Sequence, residues 1–306
     1  AVECSGNNHE GRRVMIDSIE KLADKLNLNP AAWQETSVEE NELGWAPGHP
    51  IPEDPLRWGD SFPEGAKKTL QNTQMRRNLG YATTKIRTKR NTRVEEMPDW
   101  EELREAASNI KRNVAAHQVE LLEQFEENVA ARGGIVHWAR DGAEANKIAY
   151  EIVASKGVDE VVKVKSMATQ EINFNEYLGA RGIQAWETDL AEMIVQLSDD
   201  MPSHIVVPAI HRNRAEVKAI FEARMGDAPE GMGNEPRELA MAARAHLRKK
   251  FLSAKVAISG ANLGVADSGT LSVFESEGNG RMCLTLPDTL ITVMGIEKIV
   301  PSYDDI

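Results

Sequence analysis

The sequence predicts an α/β fold: a mostly parallel sheet flanked by helices, with a helical N-terminal extension and an edge of short strands near the C-terminus. Three observations predict it. From Gly134 to Met225, strand-like runs alternate with helical stretches, the signature of right-handed βαβ crossovers. Glycines and capping residues sit at the joints between these runs. After Phe251 the runs become short and are separated by Gly, Asn, Asp and Pro.

Taken in order, residues 1–58 read as an N-terminal arm. A helix over Arg12–Leu28 carries Val14, Ile16, Ile19, Leu22 and Leu26, and Asn29-Pro30 and the WAPGHPIPEDP run then punctuate the chain. Trp33, Trp45 and Trp58 give this arm the character of a docked segment rather than a free tail. Residues 59–95 form a basic helical segment. Residues 96–306 form the α/β domain, opened by Asp99-Trp100-Glu101-Glu102, whose acids suit the first turn of a long helix, or of two with a break, running to about Arg132 before Gly133-Gly134 stops it. Strands are expected at Ile135–Trp138, Glu160–Val164, Ile183–Trp186 and His204–Val207, with helices over Ala143–Lys156, Thr169–Arg181, Leu190–Leu197, Arg212–Met225 and Glu238–Phe251. The β-type runs Lys255–Ser259, Thr270–Phe274 and Leu290–Met294 are expected to be joined by hairpins or tight loops at one edge.

Composition narrows the function classes. The chain is 41% hydrophobic, enough for a core, and no run of 18 apolar residues marks a membrane span. The N-terminal residues lack the apolar stretch of a secretory signal, so a cytoplasmic protein is expected. Two cysteines, Cys4 and Cys283, supply neither a disulfide framework nor the four thiolates of an iron–sulfur cluster. The net charge of −12 argues against generic nucleic-acid binding. The charge is also polarised: between Gly65 and Arg93 lie nine basic residues and no acidic one, leaving −12 − 9 = −21 for the rest. That segment reads either as a solvated helix face or as a docking surface for an acidic partner or anionic ligand.

Three stretches carry chemistry. In KVKSMATQEINFNE, Lys165 and Ser166 stand where a strand gives way to a helix, the place where open α/β sheets bind anions; ordinary capping explains Ser166 equally well. In PSHIVVPAIHRNRAEVK, His211 stands at a strand end as a ligand contact or acid–base group, or as a loop hydrogen-bonder. His204 and His211 fall on opposite sides of the expected strand, so no metal site is expected. The third stretch, GANLGVADSGTLSVFESEGNG, packs Gly260, Gly264, Gly269, Gly278 and Gly280 around Asn262, Asp267, Ser268, Thr270, Glu275, Glu277 and Asn279. Glycines that permit close backbone approach, mixed with donors, suit the cradling of a polar or anionic ligand; tight turns need the same glycines, and both readings stay open. G-x-S-x-G, a phosphate-binding P-loop and a dinucleotide fingerprint are absent.

The blocks PDWEELREAASNIKRNV, GGIVHWARDGAEA, VVKVKSMATQEINFNEYL, WETDLAEMIVQL, PSHIVVPAIHRNRAEV, GVADSGT, EGNGR, TLPDT and MGIEKIVPS, in collinear order over about residues 60–306, resemble the lactate-utilisation protein B family. The resemblance implies a LUD domain, similar to the sugar-phosphate isomerase and CoA-transferase-like α/β superfamily. It also implies a part in oxidising L-lactate to pyruvate with sister lactate-utilisation proteins, as an electron-transfer subunit. The family normally continues into a ferredoxin-like portion with 4Fe–4S clusters after the MGIEKIVPS block, so no cofactor is expected on this chain and the clusters are expected in that missing C-terminal portion. The alternative is a stand-alone LUD-domain protein that binds or transforms a small anionic metabolite, phosphorylated or CoA-linked. In CoA-transferase-like relatives a glutamate serves as nucleophile, which makes Glu277 the catalytic candidate.

Overall fold

Residues 61–306 are described by the structure, a computed structural model; the arm expected over residues 1–58, with its Arg12–Leu28 helix, lies outside the described residues. The described chain opens with α1 (Phe62–Thr69) and α2 (Thr73–Glu95), the latter capped by Asn72, whose side chain accepts the Met75 N–H. Of the two alternatives from Asp99 onward, the helical stretch is two helices with one break, at His117: α3 (Trp100–Ala116) and α4 (Gln118–Ala131). Asp141 caps α5 (Gly142–Ser155) by accepting from the Glu144 N–H. Then follow β1 (Glu160–Lys163), α6 (Met167–Glu171), α7 (Phe174–Gly179), β2 (Gln184–Glu187), α8 (Leu190–Ser198), α9 (Arg214–Arg224) and α10 (Pro236–Ser253). The chain ends through β3 (Val256–Gly260), β4 (Leu263–Val265), β5 (Thr270–Ser272), α11 (Asn279–Thr285), β6 (Thr289–Val293) and β7 (Ile299–Val300).

Four strands form a parallel sheet in the order β2-β1-β3-β6, in register through Val161 with Ala185, Val162 with Ala257 and Ile258 with Ile291. The expected α/β architecture is therefore present. Helices cover both faces, as parallel strands buried on both sides require. On one face, Ala149 and Val153 of α5 and Phe174 and Leu178 of α7 pack on Val161, Ala185, Val256 and Ile258. On the other, Val162, Val164 and Ala257 meet Cys283 of α11 and Phe251 of α10. A helical subcore of α8, α9 and α10 centres on Met193, Phe221, Leu239 and Leu247.

Four sequence expectations are corrected. Ile135–Trp138 forms no strand: no ladder partner lies alongside, Ile135 is exposed, and Trp138 instead packs with Phe125, Val114 and Ile299. His204–Val207 forms none either. Its ends are prolines, Pro202 and Pro208, and the His204 ring Nδ1 accepts from the Val206 and Val207 N–H groups at 3.1 and 3.0 Å, curling the backbone a ladder would need. The helix expected over Thr169–Arg181 is two, parted at Asn173, which is left-handed at φ +52°. Finally, the last β-type runs do not share one hairpin-linked edge. β3 and β6 are parallel members of the main sheet with α11 before β6, whereas β4 and β5 form an antiparallel hairpin that joins β7 in a separate three-stranded sheet, β5-β4-β7.

That small sheet is fastened to α4. Gly269, at φ +63°, turns β4 into β5, and its N–H bonds the Val265 carbonyl at 2.9 Å. A Cβ there would stand 2.6 Å from the Val129 nitrogen and 2.7 Å from the Asn128 carbonyl carbon, both backbone. Asn128 reciprocates by donating to the Ala266 carbonyl at 2.9 Å. Gly269→Ala should therefore cost about 2 kcal/mol or more, combining left-handed strain with a backbone clash. Gly182→Ala, at φ +78° but with nothing near its Cβ position, should cost only about 1 kcal/mol. Urea unfolding midpoints check the difference, and equal losses would show that the contact with α4 contributes nothing.

Candidate functional site

Because β2, β1, β3 and β6 run parallel, their carboxyl ends open on one side of the sheet, where α/β folds bind ligands. At the end of β1, Lys163 is fully buried, and its Nζ lies 2.7 Å from Glu187 Oε1 at the end of β2. Asn175 Nδ2 donates to the same oxygen at 2.7 Å. Two residues on, Lys165 reaches the surface of this nest. Its Nζ donates to the Val206 carbonyl at 3.0 Å and lies 3.6 Å from the Glu192 carboxylate, with about one-fifth of the side chain exposed.

Glu192 belongs to the first turn of α8, which Asp189 caps through the Ala191 and Glu192 N–H groups. Burial pushes its carboxyl above the usual carboxylate range, and the charge of Glu187 adds to the push. Three oxygens around this nest have no hydrogen-bond partner: Glu187 Oε2, Glu192 Oε1 and Asn175 Oδ1. Buried acceptors left open in this way lose their hydration without replacement, so this end of the sheet is under-satisfied rather than sealed.

Ser166 caps α6, its Oγ accepting from the Thr169 N–H at 3.4 Å. It lies hard against Gly260 at the end of β3, where a Cβ would fall 2.5 Å from that Oγ. The capping reading thus describes Ser166, and Gly260 is what lets β3 approach it. From the other side, Glu275 Oε2 accepts from the Gly278 and Gly280 N–H groups at 2.9 and 3.0 Å and folds the loop that starts α11. Asn279 Nδ2 then donates to Thr188 Oγ1 at 3.2 Å, and Thr188 donates to the Lys163 carbonyl at 2.7 Å. Glu277 is exposed on this loop. The Ser276 N–H, at 3.0 Å, holds its carboxyl below the usual carboxylate range, and the Lys165 ammonium contributes in the same sense. Lys165, Ser166, Glu277, Gly278 and Asn279 therefore gather around one end of the sheet.

The other singled-out residues lie elsewhere. Asn262 holds the β4–β5 hairpin, its Oδ1 accepting from the Phe274 N–H at 2.8 Å. Asp267, Ser268, Gly269 and Thr270 make the turn on α4, where Asp267 N–H bonds the Pro301 carbonyl and Ser268 Oγ donates to Thr270 Oγ1 at 3.0 Å. His211 clamps the loop between α8 and α9: its Nε2 lies 2.8 Å from Asp200 Oδ2 and its Nδ1 2.6 Å from Ser203 Oγ. Burial opposes ionisation of Asp200, but hydrogen bonds from His211 and Arg212 prevail and hold its carboxyl below the usual range. This loop meets Lys165 through the Val206 carbonyl.

Glu187, Thr188 and Glu192 were missed from sequence, whereas Glu275 stood in the glycine-rich cluster already singled out. The signal for the first three was present in WETDLAEM, a strand end running into a capped helix like the KVKS segment, but only the parallel pairing of β1 with β2 brings them to Lys165. Cys283 is buried, 3.6 Å from Thr188 Oγ1, and burial pushes its thiol up to about 11. Such a thiol is a poor metal ligand or nucleophile at neutral pH. Among the described residues, no three His, Cys, Asp or Glu side chains converge as a metal site.

A family model described as the LUD domain matches residues 122–306. The chain is 42% identical over 247 residues to lactate utilization protein B of Bacillus subtilis, covering 80% of this chain and 51% of that one. It is 43% identical over 245 residues to the same-named protein of Bacillus licheniformis, with 80% and 51% covered. For that of Exiguobacterium sp. the identity is 41% over 250 residues, with 82% and 53% covered. The chain thus spans about half the length of the curated relatives it matches. No solved structure matches it.

The Lys163–Glu187 pair is open to a direct test. Lys163→Met leaves Glu187 charged and buried, and should cost about 3–5 kcal/mol, whereas Lys163→Met with Glu187→Leu should recover most of that loss. Chemical denaturation of the single and double variants checks it. A double variant no more stable than the single would show that the pair's geometry, rather than the uncompensated charge, holds this end of the sheet.

Proposed function

The chain belongs to the LUD domain family, and from that premise we propose that it serves lactate utilisation by binding a small carboxylate, L-lactate or its oxidation product pyruvate, at the carboxyl ends of the parallel strands. One observation carries this reading: the two lysines of β1 and its extension are differently committed. Lys163 is buried and consumed by Glu187, whereas Lys165 is reachable and, among the described residues, is held by the Val206 carbonyl and the Glu192 carboxylate 3.6 Å away. An ammonium so placed exchanges a carbonyl for an anionic ligand at little cost. Glu192 Oε1, buried and without a hydrogen-bond partner, and the Asn279 amide supply an acceptor and a donor at the same place.

Oxidation of L-lactate releases two electrons, and the described residues do not fit a cluster that would carry them. A 4Fe–4S centre takes four thiolates, the chain has two cysteines, and the Cys283 thiol is buried beside Thr188. In this reading electron transfer and its iron–sulfur clusters belong to other parts of a lactate-utilisation assembly, formed in the cytoplasm with sister lactate-utilisation proteins, and this domain supplies substrate binding and docking. Among the described residues no helix is long and apolar enough to cross a membrane.

A second reading rests on Glu277, exposed, ionised and in the field of Lys165. In a CoA-linked reaction its carboxylate oxygen would attack the thioester carbonyl carbon. The C–S bond would break, the thiolate would leave and a mixed anhydride would remain on the protein.

Calorimetric titration with L-lactate and pyruvate separates the two. Lys165→Ala should weaken carboxylate binding by about tenfold or more, the worth of one charge-assisted hydrogen bond, and an unchanged Kd would remove Lys165 from the site. Glu277→Gln should leave that binding within about twofold, a difference of about 0.4 kcal/mol. Acyl-CoA turnover that disappears in the same variant would favour the second reading.

A further inference from the structure

The C-terminal half of α2 has little to hold it helical among the described residues beyond Arg90, which lies 6.0 Å from the Trp100 ring centre. Residues 84–93 (TKIRTKRNTR) are exposed at every position, so no face is buried to stabilise them. They carry five cations and no acid, with Lys85, Lys89 and Arg93 stacked at four-residue spacing, where like charges repel. Thr84, Thr88 and Thr92 have low helix propensity, and the hydroxyls of Thr88 and Thr92 bond back to the carbonyls four residues before them. Among the described residues the one acidic partner of this helix's cations is Glu96, paired with Arg93 at 2.6 Å. A helix that is polar all round and lacks compensating ion pairs forms where something else covers it.

We propose that the occupant is the acidic stretch 31–60 of the same chain. It carries seven acids (Glu35, Glu39, Glu40, Glu42, Glu53, Asp54, Asp60) and one base (Arg57), a net 1 − 7 = −6; α2 carries seven bases and one acid, a net 7 − 1 = +6. The stretch ends at Asp60, directly before the described chain, and only α1 and a short turn separate it from α2. Tethering at so short a distance gives an effective concentration in the millimolar range, about what weak exposed ion pairs need to add up to a stable contact. Trp33, Trp45 and Trp58 add flat rings for which exposed arginines are suited partners. Nucleic acid is disfavoured by the net charge of the whole chain, and the lack of an apolar face on residues 84–93 disfavours a membrane surface. The proposal is independent of what binds at Lys165.

Amide hydrogen exchange of residues 84–93 in the full chain tests it. At low salt these amides should be protected about tenfold or more beyond an isolated helix, and about 0.5 M salt should abolish the excess, since it screens exposed charges within a few ångströms. Glu35→Lys, Glu39→Lys, Glu40→Lys and Glu42→Lys together should remove the protection, and so should Arg87→Glu, Lys89→Glu and Arg90→Glu together. Combining both sets should restore it, because the charges again complement. The protection should not depend on protein concentration. Protection that grows with concentration would assign the helix to a second copy. Protection untouched by either reversal, or absent from the unaltered chain, would overturn the proposal outright.

Discussion

The Lys163–Glu187 pair is the constraint on which the rest of the sheet's polar end depends. Burying two charges costs several kcal/mol for each ion unless geometry and further hydrogen bonds offset it. Here both charges lie at the last residues of neighbouring parallel strands, aligned opposite each other in the ladder. A one-residue slip of β2 against β1 would turn Glu187 to the other face and leave Lys163 unpaired. The pair therefore penalises wrong registers more than it rewards the right one. Asn175, the second donor to Glu187, ties α7 to the same point, and Thr188 returns to the Lys163 carbonyl.

Once that end of the sheet is fixed, its surroundings follow from what each chain segment must avoid. β3 enters beside β1, and Gly260 at its end leaves the Ser166 hydroxyl its place. The loop before α11 needs its amides satisfied as it crosses the strand ends, and Glu275 accepts two of them. Asn279 then closes on Thr188, so the first residue of α11 is linked by two hydrogen bonds to the buried lysine. With Lys163 spent on structure, Lys165 stands partly exposed at the opening, and its neighbour Glu192 has an oxygen without a hydrogen bond among the described residues. Two lysines two residues apart are thus differently committed, Lys163 buried in an ion pair and Lys165 partly exposed.

How much of this could be read from the sequence depends on whether the signal was local. The alternation of helices with strands was legible because the apolar runs and stops such as Gly133-Gly134 are local to each segment. The runs at Ile135 and His204 misled because β propensity says only that a residue suits a pleated surface. Whether a neighbour lies alongside is decided by topology, and the His204 ring captured two amides that a ladder would have used. Lys165 and Ser166 could be picked out as the end of a strand. Their partners Glu187, Glu192 and Thr188 could not, because a parallel contact between segments some twenty residues apart leaves no trace at either end of the chain between them. The fold superimposes these positions; the sequence only spaces them.

The glycine-rich stretch from Gly260 to Gly280 shows why composition could not decide its own meaning. Its glycines do unlike things. Gly269 bends the β4–β5 turn so tightly onto α4 that a single added carbon would strike backbone; beside it the Asp267 N–H bonds the Pro301 carbonyl and the Ser268 and Thr270 hydroxyls bond each other. Gly278 and Gly280 offer their amides to Glu275 and so present Glu277 and Asn279 to the end of the parallel sheet. Both uses call for the same residue types, since close backbone approach and free N–H groups are what tight turns and ligand cradles have in common. What separates them is the neighbour: α4 at one end of the stretch, a half-satisfied nest of lysine and glutamate at the other. Only the second half of the stretch meets the carboxyl ends of the parallel strands, where Asn279 bonds Thr188 just beyond β2 and Glu277 lies in the field of Lys165.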